Sequence, residues 1–261
     1  MPSVFLYGDV SENFAALSEP FVKASGGQRA EVALLMLPRS REFEARYRDA
    51  LLGSGAGQVT PIRPSRNLTL DREQLRSLRQ STGILMAGGS PTMYQRAYGT
   101  RVVARMIREL HHAGVPFGGV SAGAMMACEQ FVVGAAIIRT KTNEIPLGSN
   151  EYVAAYQRHR SERRPGLAAR KGLGLVRNCV VQPHFTEWGL FPGLTEALSL
   201  TDSRFGLGID APICLEIQDG SKAMVRGKGR FYFFVKVAKR KGIPDFRVRI
   251  YEPGSRLELR G

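Results

Sequence analysis

The stretch Pro116-Phe117-Gly118-Gly119-Val120-Ser121-Ala122-Gly123-Ala124 decides the fold. Its first half is a short apolar strand pattern, and helix-compatible residues follow immediately after Ser121. Gly119-Val120-Ser121-Ala122-Gly123 fits the G-x-S-x-G elbow, in which a serine is forced into a tight strand-to-helix turn. Side chains flanking such a serine would clash. Glycine at 119 and 123 and alanine at 122 remove the clash. The hydroxyl then stands above the sheet edge, and the N–H of Ala122 lies at a helix N-terminus, where free donors and the dipole favour a developing oxyanion. The same residues would also suit an ordinary tight connection with Ser121 as a helix N-cap.

Working outward, apolar runs at residues 3–7, 30–37, 58–62, 83–87, 117–120, 176–182 and 213–217 read as strands. Helix-like spacing covers residues 14–24, 42–52, 90–112 and 122–128. Strands alternating with helices predict a three-layer α/β/α fold with a mainly parallel sheet. From Lys222 onward the pattern becomes strand-like (residues 223–226, 231–237 and 246–251), which predicts an antiparallel C-terminal extension. Residues 139–171 are polar and irregular and are expected to form a surface excursion. Residues 1–261 are expected to form a single domain.

Composition bounds the function. The 261 residues are 43% hydrophobic and 23% charged, close to globular averages, which excludes a mostly disordered chain. The longest clean apolar run, residues 131–138, is far short of the roughly 20 residues that span a membrane. The N-terminus lacks the basic and apolar regions of a signal peptide. Cys128, Cys179 and Cys214 lie in apolar surroundings without metal-like spacing, which suits three buried thiols in the cytoplasm. The net charge of +14 would attract acidic partners. However, the basic segments at 158–171 and 222–241 read as solvated faces, and the first has no interleaved aromatics for stacking bases. Nucleic acid and membrane are therefore not expected as partners. No His/Asp/Glu cluster has ligand spacing, so no metal or cofactor is expected.

Two further segments carry chemistry. Ala87-Gly88-Gly89-Ser90 ends a strand before a helix, and its N–H groups can approach a ligand, with a second oxyanion donor among them. Of four histidines, His111 and His112 sit at a helix end, where they satisfy its last carbonyls, and His159 lies in the basic segment. His184, in Gln182-Pro183-His184-Phe185, follows a strand and would share Ser121's sheet edge if that strand joins the parallel sheet. Serine–imidazole chemistry needs that convergence.

With these pieces assembled, the sequence resembles the serine peptidase family of dipeptidase E and cyanophycinase, which has the class I glutamine amidotransferase-like fold. The resemblance rests on Tyr7-Gly8-Asp9, Ala87-Gly88-Gly89-Ser90, the elbow, Gly172-Leu173-Gly174-Leu175, Gln182-Pro183-His184-Phe185 and Gly206-Leu207-Gly208-Ile209-Asp210. It implies Ser121 as nucleophile, His184 as general base, and Gly89 and Ala122 as oxyanion donors, with Gly88 and Ser90 in the same substrate-binding loop. In the family an acidic residue completes the triad just after the Gly-Ile-Asp-like strand end. Here that position is Ala211, with Asp210 before it. Neighbours on a strand point to opposite faces, so Asp210 reaches His184 only if the strand end twists. Glu187 is another candidate orienter. The arginines that cyanophycinases tend to carry after His-Phe are replaced by Thr186-Glu187-Trp188.

The expected activity is hydrolysis of short aspartyl peptides or isopeptides, with a small acidic peptide as substrate. A weakened relative that binds a ligand or partner is the alternative, and an α/β-hydrolase-type esterase a third. That last fold expects its histidine near the chain end, whereas none follows His184 here. Self-association stays open.

Overall fold

The computed structural model of the chain describes residues 2–10, 13–38, 41–133, 168–240 and 243–259. His159 and the expected excursion up to residue 167 lie outside the described residues. The described part begins with β1 (Val4–Tyr7), α1 (Phe14–Ala24), β2 (Glu31–Leu35), α2 (Arg41–Gly53) and β3 (Gln58–Ile62). There follow α3 (Arg72–Gln80), β4 (Gly83–Met86), α4 (Pro91–Tyr98), α5 (Arg101–His112), β5 (Phe117–Val120) and α6 (Ala122–Ala127). Then come β6 (Gln130–Val133), β7 (Ala168–Lys171), β8 (Cys179–Pro183), α7 (Phe191–Leu200) and β9 (Phe205–Ile209). The chain closes with β10 (Ile213–Gln218), β11 (Lys222–Gly227), β12 (Phe231–Arg240), β13 (Ile243–Tyr251) and β14 (Arg256–Glu258).

The main sheet has the order β14-β11-β10-β1-β5-β4-β2-β3. Its five strands from β1 to β3 are mutually parallel, and β10, β11 and β14 continue it antiparallel. Strand alternation sorts the core. On β1, Phe5 and Tyr7 face α1 and α2 with Phe14, Phe21 and Tyr47. Val4 and Leu6 face the opposite core with residues of α4, α5 and α6. Each fully buried aromatic such as Phe5 or Phe21 stabilises the fold by roughly 2–3 kcal/mol.

One expectation needs correcting. The strand before His184 does not join the main sheet. β8 runs parallel to β9 in a second sheet of order β13-β12-β9-β8. Leu207, Ile209, Phe231 and Phe233 of that second sheet share a core with Leu6, Phe117, Ile213 and Leu215 of the first. α7 covers the other face through Leu194 and Leu198, packed with Phe185 and Phe234. Gly206 and Gly208 make this close approach feasible. A Cβ at Gly208 would lie 2.7 Å from the Phe185 ring, and one at Gly206 would lie 2.9 Å from Leu198.

The expected long helix over residues 90–112 is two helices. Gly99 closes α4, and the Thr100 hydroxyl caps α5 by accepting from the Val103 N–H. Cys128, Cys179 and Cys214 are buried free thiols.

Candidate active site

Ser121 sits between β5 and α6 at φ 51°, ψ −111°, a backbone conformation that a non-glycine residue holds only under constraint. The constraint is visible on both sides. The Ser121 N–H donates to the Tyr7 carbonyl at 2.9 Å, and the Ser121 carbonyl accepts from Ala124 and Met125. A Cβ on Gly119 would lie 2.4 Å from the Gly123 carbonyl oxygen, and a Cβ on Gly123 would lie 2.2 Å from that of Met86. Both glycines are therefore required by backbone, which cannot step aside. Gly123→Ala is expected to destabilise the fold by about 1–3 kcal/mol, read as a lower midpoint in urea unfolding. An unchanged midpoint would contradict this packing.

His184 follows β8 in a tight turn at φ 51°. Its Nε2 lies 2.8 Å from Ser121 Oγ, so the imidazole meets the serine although the two belong to different sheets. The indole of Trp188 stacks on the ring with centroids 4.2 Å apart and planes 13° from parallel, which restricts the ring's orientation. Burial pushes the His184 pKa below its usual value, against the opposing pull of the Asp9 and Glu187 carboxylates. The imidazole is thus kept neutral and able to accept a proton.

The acids are arranged differently from expectation. Asp210, expected to orient His184 if its strand end twisted, is turned to other donors. Its Oδ1 accepts from the Thr186 N–H at 3.2 Å and the Thr186 hydroxyl at 2.8 Å, and its Oδ2 accepts from the Arg230 N–H at 3.1 Å. Glu187 accepts from the Ala211 N–H at 2.9 Å. The carboxylate that faces the ring is Asp9, with Oδ2 3.8 Å from His184 Nδ1. β1 and β10 are antiparallel neighbours, and the Asp9 N–H donates to the Ala211 carbonyl at 3.0 Å. Asp9 therefore stands beside the position where the family's acid would be. Its signal in the sequence was only a strand end, Gly8-Asp9, on the strand next to β5. Nothing in the sequence pointed to the stacking of Trp188.

Asp210 instead pins the turn that carries His184. Asp210→Asn removes the charge and presents an amide N–H to donors. We expect a loss of about 2 kcal/mol, or a fall in Tm of roughly 4–8 °C for a chain of this size. An unaltered thermal melt would contradict that role.

The glycine loop also divides its work. The Gly88 N–H donates to the Tyr47 hydroxyl at 2.8 Å, so this donor is already engaged. Burial raises the Tyr47 pKa to about 12, so its phenol stays protonated. Ser90 caps α4 by accepting from the Met93 N–H. Gly89, at φ 146°, is solvent-exposed, and a Cβ there would lie 2.9 Å from Leu37. Ala122 is the first residue of α6, and its N–H has no acceptor within the helix. Gly89, Ser121 and Ala122 line one cavity of about 320 Å³ with Pro91, Thr92, Met125, Val132, Val133, Gln182, Pro183, Trp188 and Leu190.

The His111 Nδ1–H donates to the Val115 carbonyl at 3.0 Å, which lies past the helix end, not to the helix's own last carbonyls as expected. Among the described residues, no group of His, Cys, Asp or Glu could hold a metal ion, and no helix is long and apolar enough to cross a membrane.

Serine-type hydrolases are the enzymes that hold a hydroxyl on such an elbow against an imidazole, beside backbone donors that no helix satisfies, and this chain is of that class. Its sequence matches the model of peptidase family S51 over residues 11–225, and the chain belongs to that family: it is a serine-type peptidase. Cyanophycinases from Synechococcus elongatus and Thermosynechococcus vestitus are each 24% identical to it over 257 residues, covering 92% of this chain and 73% of theirs. In fold it is similar to a peptidase from an acI-B1 Actinobacterium, with TM-score 0.65 and 17% identity over 99% of this chain and 97% of the other. A putative peptidase E protein from Listeria monocytogenes EGD-e gives TM-score 0.57 and 16% identity over 88% of this chain and 100% of the other.

Proposed function

We propose that the chain hydrolyses short peptides through an acyl-enzyme on Ser121. The observation that carries this is the 2.8 Å contact between Ser121 Oγ and the neutral, buried imidazole of His184. His184 Nε2 takes the Ser121 hydroxyl proton as Oγ bonds to the scissile carbonyl carbon. The carbonyl oxygen becomes an oxyanion held by the N–H groups of Gly89 and Ala122. His184 then passes the proton to the leaving nitrogen, the C–N bond breaks, and the amine departs. Water repeats the sequence with His184 as base, releasing the acid and restoring the serine. Asp9 steadies the imidazolium that forms in each half.

Ala211, at the position of the family's acid, is what would favour a weakened, ligand-binding relative. A carboxylate 3.8 Å from the imidazole on the adjoining strand end favours an active enzyme instead. The preference for aspartyl peptides or isopeptides, and for an acidic substrate generally, has as its support the +14 charge and the cyanophycinase relatives. The test is turnover by mass spectrometry on N-terminal aspartyl dipeptides, β-aspartyl peptides and neutral dipeptides, with Ser121→Ala as control. We expect cleavage that disappears in Ser121→Ala. A folded protein that cleaves none of them, or cleaves equally without the serine hydroxyl, overturns the mechanism.

A further inference from the structure

We propose that Trp188 is the positioning residue of His184: its indole face fixes the imidazole plane for proton transfer from Ser121, a share of the work that a hydrogen-bonded acid does in other serine hydrolases. This deepens the peptidase mechanism above and rests on it. The acid of a triad does two things: it holds the ring in place, and it stabilises the imidazolium. Asp9 Oδ2 lies 3.8 Å from His184 Nδ1, beyond hydrogen-bond length, so its charge reaches the ring but does not fix the plane. Asp210 and Glu187 are engaged by Thr186, Arg230 and Ala211. The χ2 torsion of a histidine is broad in itself. The contact that sets the plane is the indole, 13° from parallel with ring centroids 4.2 Å apart. The same face favours the imidazolium once the proton has moved.

The indole can hold the ring because its own turn is held. The Trp188 N–H donates to the His184 carbonyl at 3.0 Å, and the Leu190 N–H donates to the Phe185 carbonyl at 2.9 Å. That turn sets residues 184 and 188 one above the other, as at i and i+4 of a helix. Every residue between them is anchored. Phe185 is buried against Tyr232 and Phe234, the Thr186 N–H and hydroxyl donate to Asp210, and Glu187 accepts from the Ala211 N–H. The backbone of Trp188 therefore cannot leave His184 without breaking one of these contacts. Trp188 also lines the cavity beside Ser121 and is 37% exposed, so its effect on the base must be separated from contact with a peptide.

Diisopropyl fluorophosphate separates the two, because it reports activation of the hydroxyl without a peptide. Ser121 Oγ bonds to phosphorus, fluoride leaves, and His184 takes the proton. Labelling rates would be followed by mass spectrometry. We expect Trp188→Ala to label about 10–10²-fold more slowly, the loss that follows a base displaced by about 1 Å. Trp188→Phe should recover most of the rate. Trp188→Leu, apolar but without a flat ring, should stay slow; if the alanine variant does not fold, Trp188→Leu against Trp188→Phe decides. Added to His184→Ala, Trp188→Ala should cost nothing further, because it acts only through the imidazole. An equal loss in that background, or Trp188→Leu as fast as Trp188→Phe, overturns the proposal and leaves Trp188 as packing or cavity wall. Equal labelling of the wild type and Trp188→Ala overturns it too, with the serine mechanism standing. A folded wild-type protein that is not labelled at Ser121 overturns that mechanism and this proposal together.

Discussion

His184→Ala is expected to lower kcat by roughly 10⁴-fold or more with little change in KM, because the imidazole acts on the proton in flight and not on the bound peptide. Among the described residues the hydrogen-bond partner of the Ser121 Oγ is His184 Nε2 at 2.8 Å, and it is the base that the loss of the imidazole removes. The double variant Ser121→Ala/His184→Ala should be no slower than Ser121→Ala alone, since the two residues work as one unit. Steady-state kinetics of the three proteins decides this. A His184→Ala enzyme within tenfold of wild type would remove the histidine from the mechanism. Far-UV circular dichroism must accompany the measurement, because the substitution also removes the partner on which Trp188 stacks.

Asp9→Ala should cost about 10²-fold in kcat/KM. Losing a buried, hydrogen-bonded orienting acid costs about 10⁴-fold in the best-studied triads. Asp9 is 3.8 Å from Nδ1 and its side chain is 45% exposed, so solvent already screens part of its effect. The pH profile separates this role from a structural one. Burial holds the His184 pKa below 6.5, while the Asp9 charge pulls it up by favouring the imidazolium. The wild-type enzyme should therefore hold its plateau to below pH 6.5 on the acid side. Without Asp9 that limb should move to still lower pH while the plateau falls. Ala211→Glu added to Asp9→Ala would return a carboxylate to the adjoining strand end and recover part of the rate. An Asp9→Ala enzyme with an unmoved acid limb and full activity would dismiss the aspartate. Asp210→Asn provides the contrast, with its main effect on Tm.

Much of this was legible in the residues alone. The elbow could be recognised because its glycines answer to steric demands that few other turns make, and the atoms at 2.2 and 2.4 Å are the backbone that makes them. The inner parallel strands β1, β4 and β5 were legible as short apolar runs buried on both faces. α3 was missed because Leu78 is its one buried residue, leaving too little apolar periodicity. Its clearer signal was the capping box of Asp71 and Gln74. β9 is missing from the apolar runs because alternating glycines hid its pattern, so that only the family resemblance marked residues 206–210 as a strand end, and those glycines admit Phe185 and the leucines of α7. The second sheet was not legible, since a run such as Cys179–Pro183 reads identically in either sheet. The facing acid was obscured for a related reason. Asp9 and Ala211 are far apart along the chain and become neighbours only through the antiparallel pairing of β1 with β10.

The division between two sheets has a further consequence. The hydroxyl is carried by β5 and the imidazole by β8, and no ladder of backbone hydrogen bonds joins those strands. Their separation is set by the seating of side chains where the sheets meet, among them Leu207, Phe231, Phe117 and Leu215. Side-chain packing loosens before backbone ladders break. The catalytic pair is thus a gauge of that seam. On warming, peptide cleavage should fade while both sheets still persist, and a methyl group trimmed from the seam should silence the enzyme further than it softens the fold.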